Sequence, residues 1–246
     1  MTEWIGIRAT GESVTGWRFD GRTRVETLDA AACRDVPGRL PPDRVLVAGA
    51  DGAPPEPVPA RILPEQLLTG PQALVLPGLS QDKPLHRVGA ERLDAIGFLA
   101  MNPNWDGVIC LPGDVTHWIE VSANEALYLH GSLTLRLAGL LSLDGAPDPD
   151  AMSETLSRPE RLSAALRSAE VARTPAVATG ALMGAELAAA KALWLGRQVA
   201  VMGTGKGAAL YRDALARQGV PVVQADGGRM AEKGMLALGD RFGLTG

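Results

Sequence analysis

Three features of the sequence predict an α/β protein built from two related lobes: a strand-turn-strand unit that occurs twice, a strand-helix-strand unit near the C-terminus, and enough apolar residue to give each lobe a core. The repeated unit is Val14-Thr15-Gly16-Trp17 and Val115-Thr116-His117-Trp118, each behind a short apolar run and a polar turn, each followed by a third apolar run. Chance similarity of four residues is the alternative. With 246 residues, 46% hydrophobic, and a mean hydropathy of +0.05, the chain is globular and long enough for one large or two small domains. The expected division is residues 1–103 and 104–246.

Period-2 patterning and turn residues place the elements in order. Residues 4–7 read as a strand, 8–13 as a polar turn, 14–19 as a second strand and 25–28 as a third. Val45 to Ala48 is a buried strand ending at Gly49, and the Pro-rich stretch 51–57 can only be loop. Residues 74–76 form a strand closed by Pro77-Gly78, and 90–101 a helix with Leu93, Ile96 and Leu99 or Ala100 on one face, stopped by Asn102-Pro103-Asn104. The second lobe then opens with strands at 108–111, 115–121 and 126–129 around a break at 112–114. After a Pro- and Asp-rich connection (144–150) come helices near 159–172 and 177–195, the second ended by Gly196. A strand at 198–202, a Gly-rich turn at 203–207, a helix at 208–218 capped by Gly219 and a strand at 220–223 complete the strand-helix-strand unit.

Composition excludes several functions. Lys and Arg total 24 against 28 Asp and Glu, without a basic run, which argues against nucleic-acid binding through a phosphate-neutralising patch. Cys33 and Cys110 lie far apart, without CxxC spacing, and read as reduced, buried thiols. No membrane span and no signal peptide is expected, so the protein reads as cytoplasmic. His86, His117 and His130 lack zinc spacing, and no Gly-x-Ser-x-Gly elbow marks a nucleophile. The five tryptophans and seven methionines read as core or lobe-interface residues.

The most suggestive local feature is Gly203-Thr204-Gly205-Lys206-Gly207. Glycines there let a ligand approach the backbone, and the helix that follows offers free N–H groups to a phosphate. The turn lacks the Ser or Thr of a P-loop after Lys206 and the spacing of a dinucleotide fingerprint, and such turns are as often purely structural.

Across nearly the whole chain, the order of segments resembles the 2-dehydro-3-deoxygalactonokinases, sugar-acid kinases of the actin-like ATPase superfamily. The resemblance is carried by Leu76-Pro77-Gly78-Leu79-Ser80-Gln81-Asp82, by Leu111-Pro112-Gly113 through Trp118, by Gly180-Ala181-Leu182-Met183-Gly184-Ala185-Glu186, and by Val201-Met202-Gly203 through Tyr211. It implies a two-lobed actin-like ATPase (ribonuclease H-like) fold with duplicated strand-rich units around a central cleft, ATP and Mg²⁺ as cofactors, and a small acidic sugar-derived ligand. The nucleotide would sit on the 104–246 side, and a homodimer is allowed.

The phosphate loops depart from the family. Where the family has Asp-Trp-Gly-Ser-Thr, this chain has Arg8-Ala9-Thr10-Gly11-Glu12, a charge reversal at a position that helps to hold Mg²⁺. Arg8 would take a phosphate itself or pair with Glu12 or Asp114. Pro112-Gly113-Asp114 puts a carboxylate where the family has a hydroxyl, Gly131-Ser132 replaces a Gly-Glu pair, and in the stretch 86–94 only Glu91 is retained. On the kinase reading, Asp82, Glu91 and Asp94 carry catalysis, with Asp114, Glu12 or Asp82 replacing the missing metal-side carboxylate. Arg8, Thr10, Gly11, Gly113, Asp114, Gly203, Thr204 and Gly205 bind the nucleotide, and the metal ligands stay unassigned. Two alternatives remain open: a kinase-fold protein without phosphotransfer, acting as a small-molecule sensor or partner subunit, and a binder of an acidic small molecule through Arg8 and Lys206.

Overall fold

The computed structural model describes residues 3–11, 13–36, 39–143 and 145–246. The chain opens with three antiparallel strands, β1 (Glu3–Thr10), β2 (Ser13–Asp20) and β3 (Thr23–Leu28), then helix α1 (Ala30–Arg34) and strand β4 (Val45–Ala48). Next come β5 (Glu56–Pro57), β6 (Ala60–Arg61), β7 (Leu68–Thr69), β8 (Leu74–Leu76), β9 (Leu79–Asp82), β10 (Leu85–Val88) and α2 (Arg92–Met101). The second half runs β11 (Gly107–Leu111), β12 (Thr116–Ser122), β13 (Glu125–Ser132), α3 (Thr134–Leu140), α4 (Pro149–Ser157), α5 (Leu162–Ala172), α6 (Pro175–Ala189) and α7 (Lys191–Trp194). It finishes with β14 (Val199–Met202), α8 (Lys206–Arg217), β15 (Val222–Ala225) and α9 (Gly227–Arg241).

Two sheets repeat one topology. In the order β3-β2-β1-β4-β8-β7, the first strand pairs in parallel with β4 and β4 in parallel with β8. In the order β15-β14-β11-β12-β13-β6, β11 pairs in parallel with β14 and β14 with β15. The duplicated segment therefore marks two whole sheets, and its tryptophans, Trp17 on β2 and Trp118 on β12, are both buried.

The chain divides into two compact units. Unit 1 is Met1–Asp106, Val121–Leu129 and Asp226–Gly246; unit 2 is Gly107–Glu120 and His130–Ala225. The expected break after residue 103 falls just before the first crossing, and the chain then crosses three more times. Helix α9, which follows the last element read from the sequence, thus belongs with the N-terminal strands.

Within unit 1, α2 and α9 cross backbone to backbone. A Cβ on Gly97 would fall 1.8 Å from the carbonyl of Met230, and one on Gly234 would fall 2.1 Å from that of Leu93, so no larger residue fits either position. Arg92, at the start of α2, is fully buried. Its guanidinium donates to the carbonyls of Ile62 (3.0 Å), Pro77 (2.8 Å) and Arg61 (2.6 Å) and to the carboxylate of Glu56 (2.7 Å). Those bonds gather chain that has little regular structure of its own. They also accompany a correction: Glu56–Pro57, expected as loop, is a strand paired in parallel with β9, its Glu56 N–H donating to Gly78. The hairpin β9–β10 has a polar pattern and was not expected.

Unit 2 packs α4 on α6. The 144–150 connection gives way to α4 at Pro149, where the Asp148 side chain caps the Ala151 N–H; position 144 lies outside the described residues. The long helix expected over 177–195 ends at Ala189 and resumes briefly as α7. Both cysteines are free and buried. No helix of the described residues is long and apolar enough to cross a membrane.

Arg92→Leu would leave three buried carbonyls and Glu56 without their donor. Urea unfolding should show a loss of about 3 kcal/mol or more; a loss below about 1 kcal/mol, the size of an ordinary exposed pair, would refute the clamp.

Candidate functional site

In unit 1 the candidate residues gather where the parallel strands β1, β4 and β8 end, the edge at which open α/β sheets bind ligands. Arg8, near the end of β1, forms an ion pair with Asp94 in the first turn of α2. Asp94 is only 2% exposed. Arg8 bonds its Oδ2, while Asp94 Oδ1 and Arg8 Nε are buried without a hydrogen-bond partner. Burial pushes the Asp94 carboxyl up, Arg8 holds it back and the Glu91 charge adds to the rise, with a net pKa of about 7.

The helix can approach the strand because of Gly49, at the end of β4 with φ +86°. A Cβ there would strike the Ala9 carbonyl at 2.0 Å and Ala90 at 2.9 Å. Beside this contact lies a cavity of about 110 Å³ lined by Gly49, Leu76, Gly78, Gly89 and Arg87, with Arg87 its one charged group. Sequence reasoning missed Arg87 because it lies on β10, which was not expected to exist.

The other unit 1 candidates are placed differently from expectation. The polar turn expected at 8–13 contracts to the link between Thr10 and Ser13, which are paired in register; Arg8 and Thr10 belong to β1 and Gly11 turns at φ +51°. Glu12 lies outside the described residues, and the partner that Arg8 shows is Asp94. Asp82 is exposed at the tip of the β9–β10 hairpin, opposite Leu85, whereas Glu91 follows the other end of β10. At about 3.3 Å per strand residue, the hairpin separates Asp82 from Glu91 and Asp94.

In unit 2 two loops meet. A Cβ on Gly207 would lie 2.9 Å from Leu135 and 3.9 Å from Pro112, so the 203–207 turn sits against α3 and the 112–114 loop. Gly203, Thr204 and Gly205 lead into α8; Gly205, at the N-cap, offers no side chain to cap the first N–H groups, and Lys206 is exposed at the same end. Gly113 and Asp114 occupy the facing loop. Asp114 is held by Arg136 of α3 through two bonds to Oδ2, so its charge is already balanced. Arg136 was also missed, because the only sequence signal is a single arginine in a leucine-rich run. Ser132 bonds Thr134 at 3.0 Å at the start of α3.

Beneath these loops a buried network holds strand and helices together. Glu186 on α6 accepts from Trp118 Nε1 (2.8 Å) and from the Tyr211 hydroxyl (2.6 Å), and Tyr211 lies 2.9 Å from the Thr116 hydroxyl. Burial, then Glu186, pushes the Tyr211 hydroxyl well up, so it stays a donor. The segments around Glu186 and Tyr211 thus place the loops, and both side chains are buried.

The residues fit a nucleotide phosphate: uncapped N–H groups at the start of α8, an exposed lysine and a carboxylate neutralised by arginine present no net repulsion. Among the described residues no group of three or more His, Cys, Asp or Glu comes together to cage a metal. Magnesium normally needs one or two carboxylates and otherwise binds water and phosphate, so its ligands stay unassigned among these residues.

Comparison with known proteins gives one family model and several similar folds. The family model described as 2-keto-3-deoxy-galactonokinase matches residues 44–238. A structure from Sinorhizobium meliloti, named as a candidate 2-dehydro-3-deoxygalactonokinase, superposes with a TM-score of 0.81 at 19% identity, covering 96% of this chain and 98% of that one. The activator of 2-hydroxyisocaproyl-CoA dehydratase from Clostridium difficile, solved with bound ADPNP, gives 0.53 at 11% identity, covering 98% and 96%. No curated protein matches the sequence significantly. These likenesses establish the actin-like ATPase fold that the sequence resemblance implied.

Because Asp94 is harder to ionise in the folded chain than in the unfolded one, its contribution favours folding below pH 3.8 and is lost as pH rises to about 7. Asp94→Asn should therefore raise the melting temperature more at pH 8 than at pH 5. Equal shifts at both pH values would show that the carboxyl titrates normally.

Proposed function

The chain belongs to the 2-keto-3-deoxy-galactonokinase family, and we propose that it is an ATP-dependent kinase that phosphorylates a hydroxyl of 2-dehydro-3-deoxygalactonate or a related keto-deoxy sugar acid. The observation that carries this reading is the family match over residues 44–238; the candidate base is the Asp94 carboxyl, raised by burial to about 7, with Oδ1 unbonded. A general base works best when its pKa lies near the working pH. Asp94 Oδ1 accepts the proton of the substrate hydroxyl, while Arg8 holds Oδ2 and fixes the direction of the free oxygen. Glu91, one helical turn before Asp94, keeps the base from being too weak by opposing the pull of Arg8. The N–H groups at the start of α8, with Lys206, would hold the nucleotide phosphates; the substrate oxygen bonds the γ-phosphorus of ATP as the bond to ADP breaks, and ADP leaves. Phosphoryl transfer depends on such positioned charges more than on covalent participation by the protein.

A second reading, a family member that binds ligand without transfer, is favoured by one feature: Arg8 and Arg136 each neutralise a carboxylate that the active form would need free. ADP formation from ATP that depends on 2-dehydro-3-deoxygalactonate, with the phosphoryl group recovered on the sugar acid, separates the two.

The kinase reading expects turnover whose kcat/KM rises with pH through about 7, as Asp94 loses its proton. Asp94→Asn should lower kcat by about 10²–10⁴-fold with unchanged affinity for a non-hydrolysable ATP analogue. Analogue binding without turnover in the unaltered protein would establish the second reading instead.

A further inference from the structure

A second cavity, of about 590 Å³, opens in unit 1 beside the C-terminal half of α2. Its volume lies within the range of about 300–1,000 Å³ typical of small-molecule sites. Ile62, Ile96, Leu99 and Ala237 give it an apolar floor, and Arg61 and Arg241 stand at its edge. It shares no lining residue with the Asp94 site or with the cavity beside Arg87.

The charges at the mouth do not cancel. Glu65 faces Arg61 at 3.6 Å, with both side chains more than half exposed, and so balances one of the two arginines only loosely. Arg241, the last residue of α9, has no hydrogen bond or ion pair among the described residues. The carboxylate next to it, Asp240, is committed to Arg22 (2.6 and 2.7 Å) and to the Thr245 hydroxyl (2.8 Å). One cation is therefore left over above an apolar pocket. The wall is also fixed in advance, because Arg92 pins the carbonyls of Arg61 and Ile62, and a preformed wall lowers the ordering cost of binding.

We propose that this cavity binds an amphipathic carboxylate, its apolar body on Ile62, Ile96 and Leu99 and its carboxylate on Arg241. Such a ligand resembles neither a nucleotide nor a polyhydroxylated sugar acid, so the site is separate from the family activity and stands whether or not the chain is a competent kinase.

The test is calorimetric titration of the full chain with octanoate, alongside octanol as the uncharged counterpart. The expected result is saturable octanoate binding, with octanol at least about tenfold weaker and Arg241→Glu weakening octanoate by about tenfold or more. Ala237→Trp, which fills the pocket, should abolish it. Arg241 is exposed, so its variant keeps the proposal testable even where the tryptophan variant fails to fold. Absence of binding up to about 10 mM, equal affinity for octanol, or unchanged affinity in Arg241→Glu would each overturn the proposal.

Discussion

The guanidinium of Arg92 is buried without a bulk-water partner and draws its hydrogen bonds from the carbonyls of Arg61, Ile62 and Pro77 and from Glu56. A buried charge of this kind is tolerated only while every donor is occupied. It therefore dictates where two poorly structured segments lie and how α2 begins. Two residues on, the same helix brings Asp94 under the end of β1; a turn further, Gly97 admits the backbone of α9. One constraint thus sets the loop, the helix crossing and the acid of the candidate site.

Asp94 inherits its character from that position. An exposed aspartate with an arginine neighbour would be an ordinary surface pair, worth little and ionised throughout the physiological range. Burial changes the balance, because desolvation outweighs the attraction of a single guanidinium that reaches only one oxygen. The family resemblance expects a carboxylate at the end of the first strand, and this chain places Arg8 there and a carboxylate on the facing helix. On the proposed function, the acid needed near the substrate has changed its element of origin while keeping its neighbourhood.

Much of the scaffold was legible in the sequence. Strands β4 and β8 fall on the expected residues, because short apolar runs ended by Gly or Pro leave little choice. The paired Val-Thr-x-Trp segments revealed the duplication because the two tryptophans are buried on equivalent strands, β2 and β12. Elements held by distant partners were not legible. Strands β5, β6 and β7 are two residues long and exist only through pairing or the Arg92 clamp. Helix α9 contains Gly227, Gly228, Gly234 and Gly239, which weaken a helix in isolation; Gly234 is required for its packing on α2. At the site, the sequence singled out Arg8, Glu91, Asp94 and Asp114. It could not pair them, since Arg8 and Asp94 lie on different elements and Arg136 lies on a helix that the pattern did not announce. The hairpin that removes Asp82 from the group was equally hidden.

The central claim is that the Asp94 carboxyl is held near neutrality by burial against Arg8 and Glu91, and a carbon-detected NMR titration of that carboxyl tests it directly. A midpoint at about 7, accompanied by a response of Arg8 at the same pH, is the result the structure requires. A midpoint near 3.8, the ordinary aspartate value, would mean that water reaches Asp94 and that the proposed base is a plain ion pair.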